Sequence, residues 1–385
     1  MRESMEKING SRPVESAMSR RDFLTKTGAA ALGAAAVGTG FGTANAAEQL
    51  TVNGLPGTVF GRTGLKVTKI SFGGILTIEP PVLLHAIDQG INLIHTAPGY
   101  QNGRSMEAFG KVMKTHRKRV VLALKEFPEN LDHALKVLNT DYVDILVPPM
   151  HRVGAVQNER IPENFEKAKK AGKCGYMGFA CHSRMAQVLN RARELGWYDV
   201  TLMSYGSAGD PEFLTAARKA NQAGIGIMTM KGLPKRAATG LKDQEMKTYS
   251  SLCSSMVNHQ HAHTVLASMG SYQAVDSYRK ILETKLSYNN PGLEQRYWAE
   301  QQGKYCSNCG ACSELCPQGP AIQRILRYRM YHLDYGMTEY ARNRYAALNL
   351  GPDPVAELDC ASCESVCPRD LPLREMVREA HTLLA

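Results

Sequence analysis

From residue 57 onward, short runs of β-branched and other apolar residues alternate with longer stretches whose apolar positions recur every three or four residues. The extended runs are Val67–Phe72, Ile91–Thr96, Val120–Lys125, Val143–Val147, Gly175–Ala180, Val200–Ser204, Gly226–Met230 and His263–Ala267. Helical patterns follow at Pro81–Gln89, Ser105–His116, Leu131–Asn139, Asn164–Ala171, Arg184–Leu195, Pro211–Ala223, Gln244–Val257 and Ala274–Leu282. Strand and helix in strict alternation predict a parallel sheet with crossover helices. Eight repeats within about 220 residues fit a closed (β/α)8 barrel better than an open doubly wound sheet. No Gly-x-Gly-x-x-Gly opens the first helix, which argues against a Rossmann-type dinucleotide fold.

The chain has 385 residues, 43% of them hydrophobic, enough for one large core and a smaller satellite domain. Its formal charge of +10 is moderate. No block of lysine and arginine with interleaved aromatics runs along one segment, so the charge does not indicate nucleic-acid binding. Residues 19–26 read Ser-Arg-Arg-Asp-Phe-Leu-Thr-Lys, and a mildly apolar, Ala/Gly-rich run leads to Ala44-Asn45-Ala46. This is the pattern of a twin-arginine export signal over residues 1–46, ending in an A-x-A cleavage site. It predicts a periplasmic protein that engages the twin-arginine translocase and has no membrane span in its mature form. Residues 27–43 hold too much Gly and Thr to serve as an anchor.

Ten cysteines change the picture at the other end of the chain. Cys306, Cys309, Cys312 and Cys316, with Pro317 following, match the spacing C-x2-C-x2-C-x3-C-P of bacterial ferredoxins. Cys360, Cys363 and Cys367, followed by Pro368, repeat the last three cysteines and the proline, with Glu357 where a first cysteine would stand. Thiolates at this spacing hold iron and sulphide. In a crossed-over arrangement Cys306, Cys309 and Cys312 join Cys367 around one 4Fe-4S cluster, while Cys316, Cys360 and Cys363 hold a second. That second site lacks one thiolate, so it expects either a 3Fe-4S cluster or a fourth iron with an oxygen ligand from Glu357, Asp359 or solvent. Structural zinc would leave three thiols and both Cys-Pro pairs unused, and an odd set of closely spaced cysteines suits disulfides poorly. Cys174, Cys181 and Cys253 read as buried structural thiols. The expected domains are therefore the signal at 1–46, the barrel at 57–283 and a small all-α ferredoxin-like iron–sulphur domain at 284–385.

Active sites of such barrels lie at the C-terminal ends of the strands. Those ends carry His95 and Tyr100, Lys125, His151, His182, Tyr205, Lys231 and the run Ser268-Met269-Gly270. A tyrosine, a lysine and several histidines on one face make a proton-transfer site. For His182 the expected role is that of a loop residue. Tyr328, Met330, Tyr331 and Tyr335 are expected to pack helices around the clusters.

Gly61-Arg-Thr-Gly-Leu-Lys-Val-Thr-Lys-Ile-Ser-Phe-Gly-Gly74, the stretch from Ile91 to Tyr100, Asn102-Gly-Arg-Ser105, Thr140-Asp-Tyr-Val-Asp144 and Gly172-Lys-Cys-Gly-Tyr-Met-Gly178 resemble the aldo-keto reductase family. The cysteine-rich C-terminus resembles the extension of that family's iron–sulphur branch. The resemblance implies hydride exchange between a nicotinamide and a carbonyl, with Tyr100 as proton donor and Lys125 as the cation that lowers its pKa. His95 stands where the family has aspartate, and His151 lies two residues from the family's histidine position, nearest Pro149. Tyr205 keeps the ring that stacks on the nicotinamide, Leu202 replaces a glutamine that holds its amide, and Ser268 and Gly270 belong to the same cofactor site. NADP(H) would have to be trapped before export.

Two functions follow. The first is an exported iron–sulphur oxidoreductase acting on a small carbonyl or alcohol, with the clusters relaying electrons to or from a redox partner protein. The second is a barrel that has lost its chemistry and serves as an electron-transfer or docking partner of another periplasmic redox protein.

Overall fold

The structure is a computed structural model and describes residues 50–204, 211–231, 253, 261–283, 292, 297, 299, 302–306, 308–315, 321–351 and 360–385. The export signal, Tyr205, most of the Gln244–Val257 helix, Cys316, Glu357 and Asp359 lie outside the described residues, as does the side chain of Cys360.

Eight parallel strands close into a barrel: β4 (Ile70–Gly73), β5 (Leu93–Thr96), β6 (Val121–Leu124), β7 (Val143–Leu146), β8 (Cys174–Cys181), β9 (Val200–Ser204), β10 (Gly226–Met230) and β11 (Thr264–Ser268). The seam closes where β11 pairs with β4, Ser268 opposite Gly73. Side chains alternate between the two faces of each strand. Leu93, Val121, Ala123, Ile145, Val147, Ala180, Val200, Leu202, Met228 and Leu266 fill the barrel interior. Ile70, Phe72, Ile94, Leu122, Leu124, Leu146, Phe179 and Met203 point outward into the layer beneath the surrounding helices.

The predicted first strand, Val67–Phe72, is divided between two sheets. Lys66–Thr68 (β3) pairs antiparallel with Leu55–Val59 (β2), which pairs in turn with Thr51–Val52 (β1), and only Ile70–Gly73 joins the barrel. This small sheet packs at the bottom of the barrel, where Arg62 donates its backbone N–H to the Gly224 carbonyl at 2.7 Å and its guanidinium to the Tyr198 carbonyl at 2.6 Å. Gly61 has φ +53°, and a Cβ there would meet the Gly226 nitrogen at 2.4 Å. Only glycine allows the two backbones to approach so closely.

Beyond the barrel lie helices Ala311–Leu315, Ala321–Leu333, Thr338–Ala346, Cys360–Ser365 and Leu373–Leu384. The last buries Leu373, Met376, Val377, Ala380 and Leu384, a single stripe at helical spacing. With Ile322, Ile325, Leu326, Ala341 and Tyr345 these residues build a second apolar core. Barrel and C-terminal helices belong to one compact unit, Gln49–Ala385.

Candidate active site

The inward face of each strand continues past the barrel interior to the mouth. Leu93 leads to His95, Ala123 to Lys125, Ala180 to His182, Met228 to Met230 and Leu266 to Ser268, each two residues further on and so on the same side. All five end residues line one cleft at the C-terminal mouth, together with Gly73, Tyr100, Lys231, Tyr331 and Tyr335. The cavity volume of the cleft is about 50 Å³.

Tyr100 opens a single helical turn, Tyr100–Gly103, whose next three residues all take positive φ: Gln101 at 51°, Asn102 at 56° and Gly103 at 92°. Such backbone is costly outside glycine. It is held by Gln101 Nε2 donating to the Ile75 carbonyl at 3.2 Å and by Ser105 Oγ donating to the Gly74 carbonyl at 2.7 Å. The Lys125 ammonium sits over the Tyr100 ring, 4.8 Å from its centroid. The His95 ring meets the same ring edge-on at 5.7 Å.

Burial sets the ionisation of the group. It raises the Tyr100 hydroxyl far above its ordinary value, and neighbouring Tyr331, Tyr340 and Tyr335 add to the rise while Arg327 opposes it. The hydroxyl is therefore protonated at neutral pH, as a proton donor requires. Burial and the Lys125 charge push His95 down to about 3. Lys125 is pulled down to about 8 by burial and by Arg327 and Arg344. His182 is held well below the usual histidine range, burial being the main cause. Two ring nitrogens, His95 Nε2 and His182 Nδ1, are buried with no hydrogen-bond partner. Buried polar atoms without partners are costly and rare, and at a cleft wall they are places where a ligand can bond.

The sequence-predicted residues divide accordingly. His95, Tyr100, Lys125 and Ser268 share the cleft. His151 does not line it; its Nδ1 accepts the His182 backbone N–H at 3.2 Å, and it is lowered to about 4 by burial, then by Arg327 and Lys125. Gly270 lies beside Leu76 outside the cleft. His182 is a cleft residue, not merely a loop one, and its parity with Ala180 was the signal for that. Arg327 of the 321–333 helix opposes the rise of the Tyr100 hydroxyl. The insert tyrosines do more than pack around the cysteines: Tyr331 and Tyr335 stack on each other at 5.8 Å and wall the cleft, and Tyr340 donates its hydroxyl to the Gly99 carbonyl at 2.8 Å. The C-terminal helices thus close over the loops that follow β5 and β8, where Ser183 Oγ donates to Gln323 Oε1 at 3.2 Å.

Leu202 is wholly buried in the barrel interior, so the side chain at that position offers no bond to a nicotinamide amide. The cysteines, by contrast, gather from both runs. The thiolate charges of Cys306, Cys309, Cys363 and Cys367 each oppose ionisation of Cys312, which burial pushes up to about 12. Those of Cys309 and Cys367 act on Cys306, whose sulphur accepts the Asn308 N–H at 3.3 Å. Among the described residues, no group of three or more His, Cys, Asp or Glu side chains is placed to hold a metal ion. Cys174, Cys181 and Cys253 are buried apart from them.

The sequence of residues 79–283 matches the Aldo/keto reductase family, and the chain belongs to that family. It is 39% identical over 79 residues to the aldo-keto reductase YhdN of Bacillus subtilis, covering 16% of this chain and 24% of that one. It is 30% identical over 166 residues to a putative voltage-gated potassium channel subunit beta of Schizosaccharomyces pombe, covering 35% and 48%. The match therefore spans about half or less of the length of these relatives. Among solved structures, the holo form of aldo-keto reductase AKR11C1 from Bacillus halodurans superposes with a TM-score of 0.51 at 17% identity, over 64% of this chain and 96% of that chain, which establishes the barrel fold.

Proposed function

We propose that this protein is an oxidoreductase that interconverts a small carbonyl compound and its alcohol in the cleft at the barrel mouth, with Tyr100 as the proton donor. The observation that carries this reading is the convergence of Tyr100, Lys125, His95 and His182 on one cleft of a family barrel, with two buried imidazole nitrogens awaiting partners. Reducing a carbonyl takes two electrons and two protons, and a hydride donor of the nicotinamide class bound in the cleft would supply both electrons and the hydrogen of the new C–H bond. Tyr100 gives one proton to the carbonyl oxygen, neutral His95 orients that oxygen through its free nitrogen, and the Lys125 charge favours the developing alkoxide.

The gathered thiols support an iron–sulphur centre held by Cys306, Cys309, Cys312 and Cys367, with Cys316, Cys360 and Cys363 available to a second; such a centre supplies electrons one at a time. Cys306 and Lys231 line one cavity, and Lys231 also lines the cleft, so the cysteines and the substrate site are neighbours. Two of the relatives are named as channel beta subunits, which supports a partner protein as the other end of the electron path. Leu202 offers no bond to a nicotinamide amide, so such a donor would be held by other residues of the cleft.

Substituting Tyr100 by Phe removes the donor and lowers turnover of an accepted carbonyl by about 10²–10⁴-fold. A rate within twofold of wild type favours the docking reading instead. Export rests on Arg20-Arg21. Changing both to lysine leaves the protein in the cytoplasm in a fractionation experiment, and normal export of that variant removes the localisation from the proposal.

A further inference from the structure

Positive groups predominate around the cleft. Lys125 and Lys231 line it, and Arg327 lies beside Lys231 in the adjoining cavity with Asn308 and Cys306. Among the described residues, no carboxylate comes within ion-pair distance of any of the three. The charges that act on Lys125 are those of Arg327 and Arg344, both positive. Negative groups act on Lys231 alone of these two lysines: Cys306 and Asp334 favour its charge while Arg327 and Lys125 oppose it, and Asp334 also accepts the Tyr305 hydroxyl at 3.3 Å.

Two further features show that these cations are held in place. Lys231 has φ 58°, a left-handed conformation that a lysine adopts only when its surroundings impose it. Arg327 donates Nη2 to Asn308 Oδ1 at 3.3 Å, while its Nε is buried without a partner. Partly buried cations of like sign repel one another, and an anion that enters between them relieves that repulsion.

We propose that the substrate cleft takes a small oxyanion, a carbonyl compound bearing a carboxylate or a phosphate, and that Lys125, Lys231 and Arg327 hold its charged end. The inference rests on the cleft being the substrate site and adds the chemical class. A planar guanidinium reads two oxygens at once. Placing it on the Ala321–Leu333 helix makes that helix part of the specificity of the barrel.

Calorimetry with purified full-length protein tests this without turnover, using pyruvate, inorganic phosphate and acetone as probes. The expected result is saturable binding of pyruvate, phosphate or both, weakened by added salt, and none of acetone. Binding of pyruvate alone identifies a carboxylate as the charged end, and binding of phosphate alone a phosphate ester. Arg327→Gln and Lys231→Gln each weaken the preferred anion by about tenfold or more, the loss of one charge-assisted bond. Arg327→Lys, which keeps the charge, restores most of the binding and controls for misfolding. Acetone binding as tightly as the anions, or wild-type affinity in both glutamine variants, overturns the proposal. Tyr100→Phe keeps anion binding in either case. A barrel that binds pyruvate but shows no Tyr100-dependent turnover therefore refutes the catalytic reading alone, and one that turns over neutral carbonyls without binding anions refutes this inference alone.

Discussion

The Lys125 ammonium lies 4.8 Å from the centroid of the Tyr100 ring, over its face, and makes no hydrogen bond to its hydroxyl. A cation so placed holds the ring through its quadrupole and offers its charge to whatever binds beside the hydroxyl. It has lost no proton at neutral pH, yet its value near 8 leaves it close to doing so.

That proximity gives a pH dependence. Lys125 is charged below about 8 and neutral above it, so turnover that needs the charge declines as pH rises through that value. Lys125→Arg stays charged over the whole working range and moves the decline to higher pH. A rate–pH profile checks this; a decline near pH 8 that persists unchanged in the arginine variant assigns it to another group.

Acid has a separate effect on stability. Burial lowers His95 to about 3, whereas an unfolded histidine titrates near 6.5. Between those values the unfolded chain binds a proton that the folded one refuses, so stability falls as pH drops below 6.5, by about 1.4 kcal/mol per unit for this group. His151, lowered to about 4, adds to the same trend. Urea titrations at pH 7 and pH 5.5 read the difference, and His95→Asn reduces it. An equal loss in that variant would show that His95 does not set the acid limb.

Much of this site was legible in the sequence because a barrel strand has a period of two and a mouth at a fixed end. His95 and Lys125 follow from Leu93 and Ala123 by parity alone, and the same count on β8 points to His182. What the strands could not reveal is the cover. Tyr331 and Arg327 come from a helix, and Tyr335 from the turn after it, more than fifty residues beyond the last barrel strand, and nothing in local periodicity says that such a helix folds back over the cleft. The role of Arg327 toward Tyr100 was invisible for that reason. The division at Lys69 was also hidden, since Val67 and Ile70 are equally apolar; the backbone changes sheets there, with Lys69 N–H reaching the Pro56 carbonyl at 2.9 Å and its carbonyl accepting from Val265 at 3.0 Å.

The cysteines carry the last prediction. In the crossed-over scheme Cys367 of the second run completes the site of Cys306, Cys309 and Cys312. Cys367 is near enough to both Cys306 and Cys312 to influence their ionisation across more than fifty residues of chain. Cys363 also sits beside the first run, its Sγ 3.9 Å from the Cys312 carbonyl, so the two runs share one interior. Anaerobically purified protein should then contain about four iron atoms per chain if only the complete site fills, and about seven or eight if the second fills too. Cys367→Ser removes the fourth thiolate of the complete site and should lower the iron content and change the paramagnetic spectrum of the reduced protein. Cys316→Ser should affect only the second site. Glu357→Cys supplies that site with a fourth thiolate and should convert a three-iron signal to a four-iron one. Iron below one atom per chain after anaerobic reconstitution, with zinc in its place, would overturn the cluster assignment.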